Sequence, residues 1–337
     1  MNFVPELSQG TAVFMVLFAA SMWNTWFISL KYLGDYPVDG YYVTLFVTSI
    51  IFVWSVGFIL DGGALLGNMR DVYSVDPGRV IVPLVSGVLY VTGMRITLHI
   101  FSTIGLSLAQ PIKSSINVLI GTTIAAVVGG VPAGYSLPLI YFASLILLAA
   151  IFFTMQAGRL RIQAQERSEE KNKLQFSMRD LWRSIGLAVF TSFFGLAYTF
   201  SLSYSLRSIT QPNGLAVLPY MALLATGALV GSMLTSGALL TRRKQWALVF
   251  NAPFAVHKFG IWSGLFHYGG NIIHTYATAF LSSVVSFPLG LTGGLWVQFW
   301  GIVYGEYKGS PRRVYALLAI GIALYFVGAY IIASTNF

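Results

Sequence analysis

Cysteine is absent from this chain, which excludes disulfides, thiolate nucleophiles and cysteine-held metals or iron–sulfur clusters. Charge is scarce as well. Only 9% of the 337 residues are charged, against about 25% in a soluble domain. So few charges cannot coat a globule of this size in water, whereas a content of 56% hydrophobic residues suits a bilayer. Catalytic signatures are missing too. There is no HExxH pair for zinc, no buried carboxylate pair, no GxSG nucleophile spacing and no P-loop. The chain therefore reads as a non-enzyme without a cofactor, and ATP-driven transport by this chain alone is not expected. The N-terminus, MNFVPELSQG, has an acid but no Lys or Arg, so no cleavable signal peptide is expected.

What is present is apolar length. A hydrocarbon core of about 30 Å needs roughly 20 apolar residues per helix. Ten stretches qualify: 11–32, 41–60, 80–101, 106–129, 137–155, 185–204, 214–239, 256–275, 282–303 and 315–333. The run from Ala255 to Tyr304 is too long for one helix, and the break near Thr103 places its own break by analogy. The reading is an all-α membrane protein with ten transmembrane helices. One long polar connection splits the spans five and five. It predicts a first five-helix repeat over 1–158, a solvated and partly helical cytoplasmic linker over 159–181, and a second five-helix repeat over 182–337.

The two halves read as one pattern written twice. SGVLYVTG from Ser86 and SGLFHYGG from Ser263 align without a gap, pairing Ser86 with Ser263, Gly87 with Gly264, Gly93 with Gly270 and, further on, Pro111 with Pro288. A second gapless pair matches Phe18 with Phe190, Ser29 with Ser201, Leu30 with Leu202 and Tyr32 with Tyr204. An odd number of spans per half makes the repeats inverted, an arrangement typical of secondary transporters that rock around a central site. Gly227-xxx-Gly231 and Gly301-xxx-Gly305 have the spacing of close helix contacts.

The net charge is +9, but the basic residues sit mostly in short loops, so they set orientation rather than bind nucleic acid. Lys31, Arg159, Arg161, Arg242, Arg243, Lys244, Lys308, Arg312 and Arg313 fall in one set of loops, and Arg70, Arg79 and Arg207 in the other. The first set is predicted cytoplasmic. A multi-pass protein of the cell membrane with both termini outside follows.

Polar residues at membrane depth are costly and often mark a pathway. Arg95 and His99 share a face of the third span. Gln110, Lys113, Ser114 and Asn117 line the fourth beside Pro111, His267, Asn271 and His274 line the eighth, and Thr292 and Gln298 follow Pro288 on the ninth. The first span carries Trp23 and Asn24. A hydrogen-bonded helix histidine or an interfacial tryptophan would be the plain explanation of each alone; their coincidence on paired spans points to a site. The expected substrate-binding set is Trp23, Asn24, Arg95, Gln110, Lys113, Asn117, Asn271, Trp296 and Gln298. No Asp or Glu falls inside these ten stretches, and Glu306 closes the ninth. Proton coupling is therefore assigned to His99, His267, His274 or Glu306, histidine having a reference pKa of about 6.5.

These features resemble the drug/metabolite transporter superfamily, and within it the branch of the L-rhamnose–proton symporter and the glucose/ribose porters, with the plant ureide permeases as cousins. The C-terminal run GIVYGEYKGSPRRVYALLAIGIALYFVGAYIIA and the fifth-span exit TMQAGRLR are similar to the family's, and the third-to-fourth span region more loosely so. In the fourth span QPIKSS stands where the resemblance implies a more Gly-rich pattern. The resemblance implies proton symport of a small polar metabolite, foremost a rhamnose-like sugar, by alternating access. Two alternatives stay open. One is an exporter or exchanger of an anionic or ureide-like metabolite, with Arg95 and Lys113 as counter-charges. The other is a non-transporting membrane receptor or scaffold. The partners implied are a small-molecule substrate, protons and the lipid bilayer.

Overall fold

Apolar runs with few internal breakers form helices, and the computed structural model, which describes residues 7–104, 114–168 and 178–334, is helical apart from turns and two isolated β-bridges. In chain order the helices are α1 (Gln9–Trp23), α2 (Val38–Asp61), α3 (Ala64–Val75), α4 (Gly78–Ile104), α5 (Ser114–Gly129), α6 (Leu137–Ser168) and α7 (Met178–Ser205). They continue as α8 (Val217–Arg242), α9 (Trp246–Phe250), α10 (Phe254–Leu281), α11 (Ser283–Gly290), α12 (Gly294–Val303) and α13 (Arg312–Ser334).

Among the described residues, seven helices are long and apolar enough to cross a membrane: α1 with the turn that follows it, α2, α4, α6, α7, α8 and α13. The remaining expected spans fall short for physical reasons. The described part of the fourth, α5, is short. The eighth, α10, has the length, but His267, Asn271 and His274 lower its hydropathy. The ninth is interrupted: α11 passes through a 3-10 turn at Leu291–Gly293 before α12 begins. The break before it falls at Ser282, whose φ of 67° ends α10.

The first span also breaks. Regular helix stops at Trp23, and a 3-10 turn runs from Trp26 to Tyr32. Asn24 and Thr25 bond back to the Ala20 and Ser21 carbonyls, a competition with regular helix common for such side chains. The carbonyl of Trp26 is bonded instead by Ser263 Oγ at 2.9 Å and Tyr41 Oη at 3.4 Å. Further on, α6 runs past the expected boundary at 158 as far as Ser168.

Packing follows an alternating pattern. α4 lies against α7 and α8, α10 lies against α1 and α2, α2 meets α8, and α6 pairs with α13. Tyr42, Phe46, Tyr220, Leu224 and Tyr268 fill the core between α2, α4, α8 and α10. A second core joins Ala143 and Leu147 of α6, Tyr325 of α13 and Val284 of α11. The α4–α8 contact is backbone to backbone. A side chain at Gly227 would overlap the Leu84 carbonyl, and one at Gly231 would sit 2.7 Å from the Val88 oxygen. The second expected glycine pair is corrected: Gly305 lies beyond α12 in a turn, at φ 69°, where an added side chain would meet nothing within 4 Å.

Helix α3 was not anticipated. It is amphipathic, buries Leu65 and Val72, and offers Asn68 Oδ1 to the Ala216 amide at the start of α8, 2.9 Å away. That amide would otherwise be one of the unpaired donors of a helix N-terminus.

Candidate functional site

A cavity of about 390 Å³ lies among α1, α4 to α7 and α10 to α13. Trp23, Asn24, Tyr90, Asn117, Tyr198, Asn271, Phe287, Gln298 and Tyr325 line its body, and Arg161, Glu306 and Tyr307 stand at one end. Its volume is at the small end of the range of about 300–1,000 Å³ that holds small molecules.

Four lining residues have a buried polar atom without a partner: Trp23 Nε1, Asn117 Oδ1, Arg161 Nε and Asn271 Nδ2. A buried donor or acceptor left unsatisfied costs about 1–3 kcal/mol, so each is a position where a polar ligand gains. Asn271 is the most enclosed, at 3% exposure. Asn24 Nδ2 is already donated to the Ala20 carbonyl, and Gln298 Oε1 accepts from Tyr307 Oη.

His267 and His274 of α10 stand one layer behind this wall. His267 stacks on Tyr90 at 6.0 Å between centroids with the rings 4° from parallel, and its Nε2 is 3.0 Å from Tyr90 Oη. Its Nδ1 is buried and unpartnered. His274 packs on Trp23 at 4.7 Å, with Nε2 3.3 Å from the Ser286 carbonyl and Nδ1 3.4 Å from Tyr198 Oη. A carbonyl only accepts, so the His274 proton sits on Nε2 and Nδ1 receives the tyrosine hydroxyl. Each histidine thus reaches the cavity through a tyrosine that lines it. His257 is elsewhere, bonded to the Val249 carbonyl at 3.0 Å.

Of the expected site residues, the structure gathers Trp23, Asn24, Asn117, Asn271, Gln298 and Glu306 around one space, with His267 and His274 behind it. Trp296 is not on the wall; it packs edge-on against Phe299. Gln110 and Lys113 lie outside the described residues, as does the side chain of His99.

Arg95 is not on the wall either. Its Nε donates to Asp39 Oδ1 at 2.6 Å, and Asp39, 2% exposed, also accepts from Ser236 Oγ at 2.8 Å and faces Arg243 at 3.4 Å. This corrects the expectation that no acid lies in the spans. Helix α2 begins at Val38 rather than 41 and ends at Asp61, so both Asp39 and Asp61 are helical and buried. Arg95 has its own counter-ion and is not left for a substrate.

Among the described residues, the cation that does line the cavity is Arg161. It projects from the extension of α6, in the stretch read as linker, and donates from a terminal nitrogen to Glu306 Oε2 at 2.6 Å. Lys31 donates to Glu306 Oε1 at 2.9 Å and lies over the Tyr304 ring. Glu306 therefore ties together the end of the first span, α6 and the turn before α13. Burial pushes its carboxyl up, but the hydrogen bonds and charges of Lys31 and Arg161 outweigh this and hold it below the ordinary carboxylate range. A depressed pKa makes the clamp's contribution full above that range and lost as pH falls through the lowered value. Glu306→Gln is thus expected to lower thermal stability at pH 7 by about 1 kcal/mol or less, since the pair is partly exposed. The gap from wild type should narrow as pH falls below the ordinary carboxylate range and close once it passes the lowered value. A gap that widens on acidification would show that Glu306 is not held ionised by the two cations.

Sequence reasoning missed Tyr90, Tyr198, Thr154 and Arg161. The repeat held a signal for two of them: the gapless alignments put Tyr90 opposite His267 and Tyr198 opposite Trp26. No protein-family profile and no curated protein sequence matches this chain.

Proposed function

We propose that the chain is a secondary transporter, not an enzyme, that carries a small, polar, ring-shaped metabolite, foremost a sugar. It would work by alternating access with proton symport, in the manner of the drug/metabolite transporter superfamily. The observation that carries this reading is the cavity with its unpartnered Trp23, Asn117 and Asn271 atoms. Sugar hydroxyls donate and accept, and such atoms supply both roles. Trp23, Tyr198, Phe287 and Tyr325 offer ring faces to the apolar side of a sugar. In proton coupling, His267 and His274 would act through Tyr90 and Tyr198, the side chains between them and the cargo.

Ten spans in two inverted halves belong to this proposal. The packing supports it, because exchanging the halves maps the helix contacts onto themselves: α4 with α7 and α8 becomes α10 with α1 and α2. Contacts between aligned residues agree. A side chain at Gly93 would lie 3.3 Å from the Thr191 carbonyl, and one at its aligned partner Gly270 would lie 3.2 Å from Ala19, the residue aligned with Thr191. Tyr198 packs on Tyr90 at 5.7 Å, and the aligned Trp26 packs on the aligned His267 at 5.4 Å. Tyr90 and His267, aligned with each other, themselves stack, as residues next to an axis between two inverted halves would.

The proposed placement in the cell membrane has both termini outside. In support, basic residues of one predicted side meet one another, Lys31 and Arg161 both on Glu306. Arg79 of the other side bonds Asp76, Tyr204 and Gln211.

Flux into proteoliposomes under an imposed pH gradient tests the reading, with rhamnose, ribose, glucose, allantoin and sugar phosphates as the panel. Asn271→Ala is expected to reduce uptake at least about tenfold, the equivalent of a lost buried hydrogen bond, while folded yield is kept. Wild-type flux in that variant would place the cargo elsewhere. A second reading, exchange of an anion, draws on one observation: Lys31 and Arg161 outnumber Glu306 at the end of the cavity. Uptake of sugar phosphate alone, lost in Arg161→Gln, would favour it.

A further inference from the structure

We propose that the elbow joining α8 to α10 is a binding site for the headgroup of an anionic phospholipid. The elbow turns on itself. Trp246 Nε1 donates to Thr241 Oγ1 at 2.8 Å, and Trp246 stacks on Phe250 at 5.5 Å. His257 Nε2 meets the Val249 carbonyl at 3.0 Å, which ties α9 to the start of α10. Val249 is buried against Val43 and Leu240.

Because Val249 points inward, its neighbours point out. Leu248 is 56% exposed, Phe250 76% and Phe254 73%. Arg242, Arg243, Lys244 and Lys258 are exposed beside them, and the segment 241–262 contains no Asp or Glu. On α10, Phe254, Lys258 and Trp262 are four residues apart and share one face, with Trp262 58% exposed. An elbow in bulk water would gain nothing from three outward aromatic rings. Aromatic rings next to Lys and Arg are the composition of a segment lying at the bilayer interface. The cations meet the phosphate, and the rings enter the acyl boundary. Net negative charge selects the lipid, since each Lys or Arg near an anionic surface contributes about 1 kcal/mol. Among the described residues, only Arg243 of these four cations has an ion-pair partner, Asp39 at 3.4 Å.

The test is native mass spectrometry of the full-length protein in detergent, titrated with phosphatidylglycerol or phosphatidylcholine. Phosphatidylglycerol should bind at least about tenfold more tightly, and the preference should shrink as ionic strength rises. The variant R242Q/K244Q/K258Q should bind both lipids alike, while R312Q/R313Q, which removes exposed charge elsewhere, should keep the preference. Thermal unfolding checks that the variants are folded, and the salt dependence of the wild type stands without any variant. Equal binding of the two lipids, an unchanged preference in the triple variant, or displacement of the lipid by millimolar inorganic phosphate would overturn the proposal.

Discussion

Asp39→Asn is expected to lower the stability of the folded protein by about 3–5 kcal/mol, the cost of removing one partner from a buried ion pair. The Asp39 side chain is 3% exposed and carries the Arg95 guanidinium at 2.6 Å, the Ser236 hydroxyl at 2.8 Å and Arg243 at 3.4 Å. An asparagine keeps the shape but loses the charge and one acceptor oxygen. Arg95, 16% exposed, then stays largely buried with no counter-ion. The cost is mainly that stranded charge, so removing both partners should be far milder. Asp39→Leu with Arg95→Met is expected to lie within about 1–2 kcal/mol of wild type. Thermal unfolding in detergent of the two single variants and the pair checks this. A double variant as unstable as Asp39→Asn would mean that Asp39 acts through Ser236 and Arg243 rather than Arg95.

Gly227→Ala should come next in size, at about 3 kcal/mol, the upper end of ordinary overpacking. The added methyl would overlap the Leu84 carbonyl oxygen and come within 2.8 Å of its carbon and 3.0 Å of its Cα. All three are backbone atoms of α4, so no rotamer change relieves the overlap. The helices must part, and the contacts of Gly87 with Leu224 and Gly231 with Val88 part with them. Gly186→Ala is the control. That glycine lies in α7 with nothing within 4 Å, and alanine there should stabilise the helix by about 0.5–1 kcal/mol. Folded yield and melting temperature of the two variants should move in opposite directions. A neutral Gly227→Ala would show that α4 and α8 are not in backbone contact.

The composition made the membrane class plain, and α2, α4, α6, α8 and α13 cover the stretches that apolar length marks out. Breaks were harder to see. Asn24 and Thr25 look like a polar step in a continuous span, and nothing local says that Trp26 would leave its carbonyl to Ser263. Helix α3 was hidden because it is short and amphipathic, a pattern stable only once Leu65, Asn68 and Val72 have α2, α4 and α8 to pack on.

For the site, spacing along a helix tells which residues share a face and not what that face meets. This is why the stripe of His267, Asn271 and His274 was legible, while its division into a cavity-facing asparagine and two histidines behind tyrosines was not. Arg95 and Arg161 show the same limit. The first looked like a counter-charge for cargo because it sits at membrane depth, and the second like linker charge because it follows a span. Which cation meets an acid and which meets the cavity depends on how α4 and α6 are rotated against their neighbours. Asp39, Glu306 and Lys31 come from distant parts of the chain, and only packing brings them to those cations.

The sequence alone thus determined the apolar solvent and the helical class, both consequences of transfer energies carried residue by residue. The tertiary structure alone decided the pairing of charges and the membership of the cavity, because both are set by distances between helices, on which no local transfer energy bears.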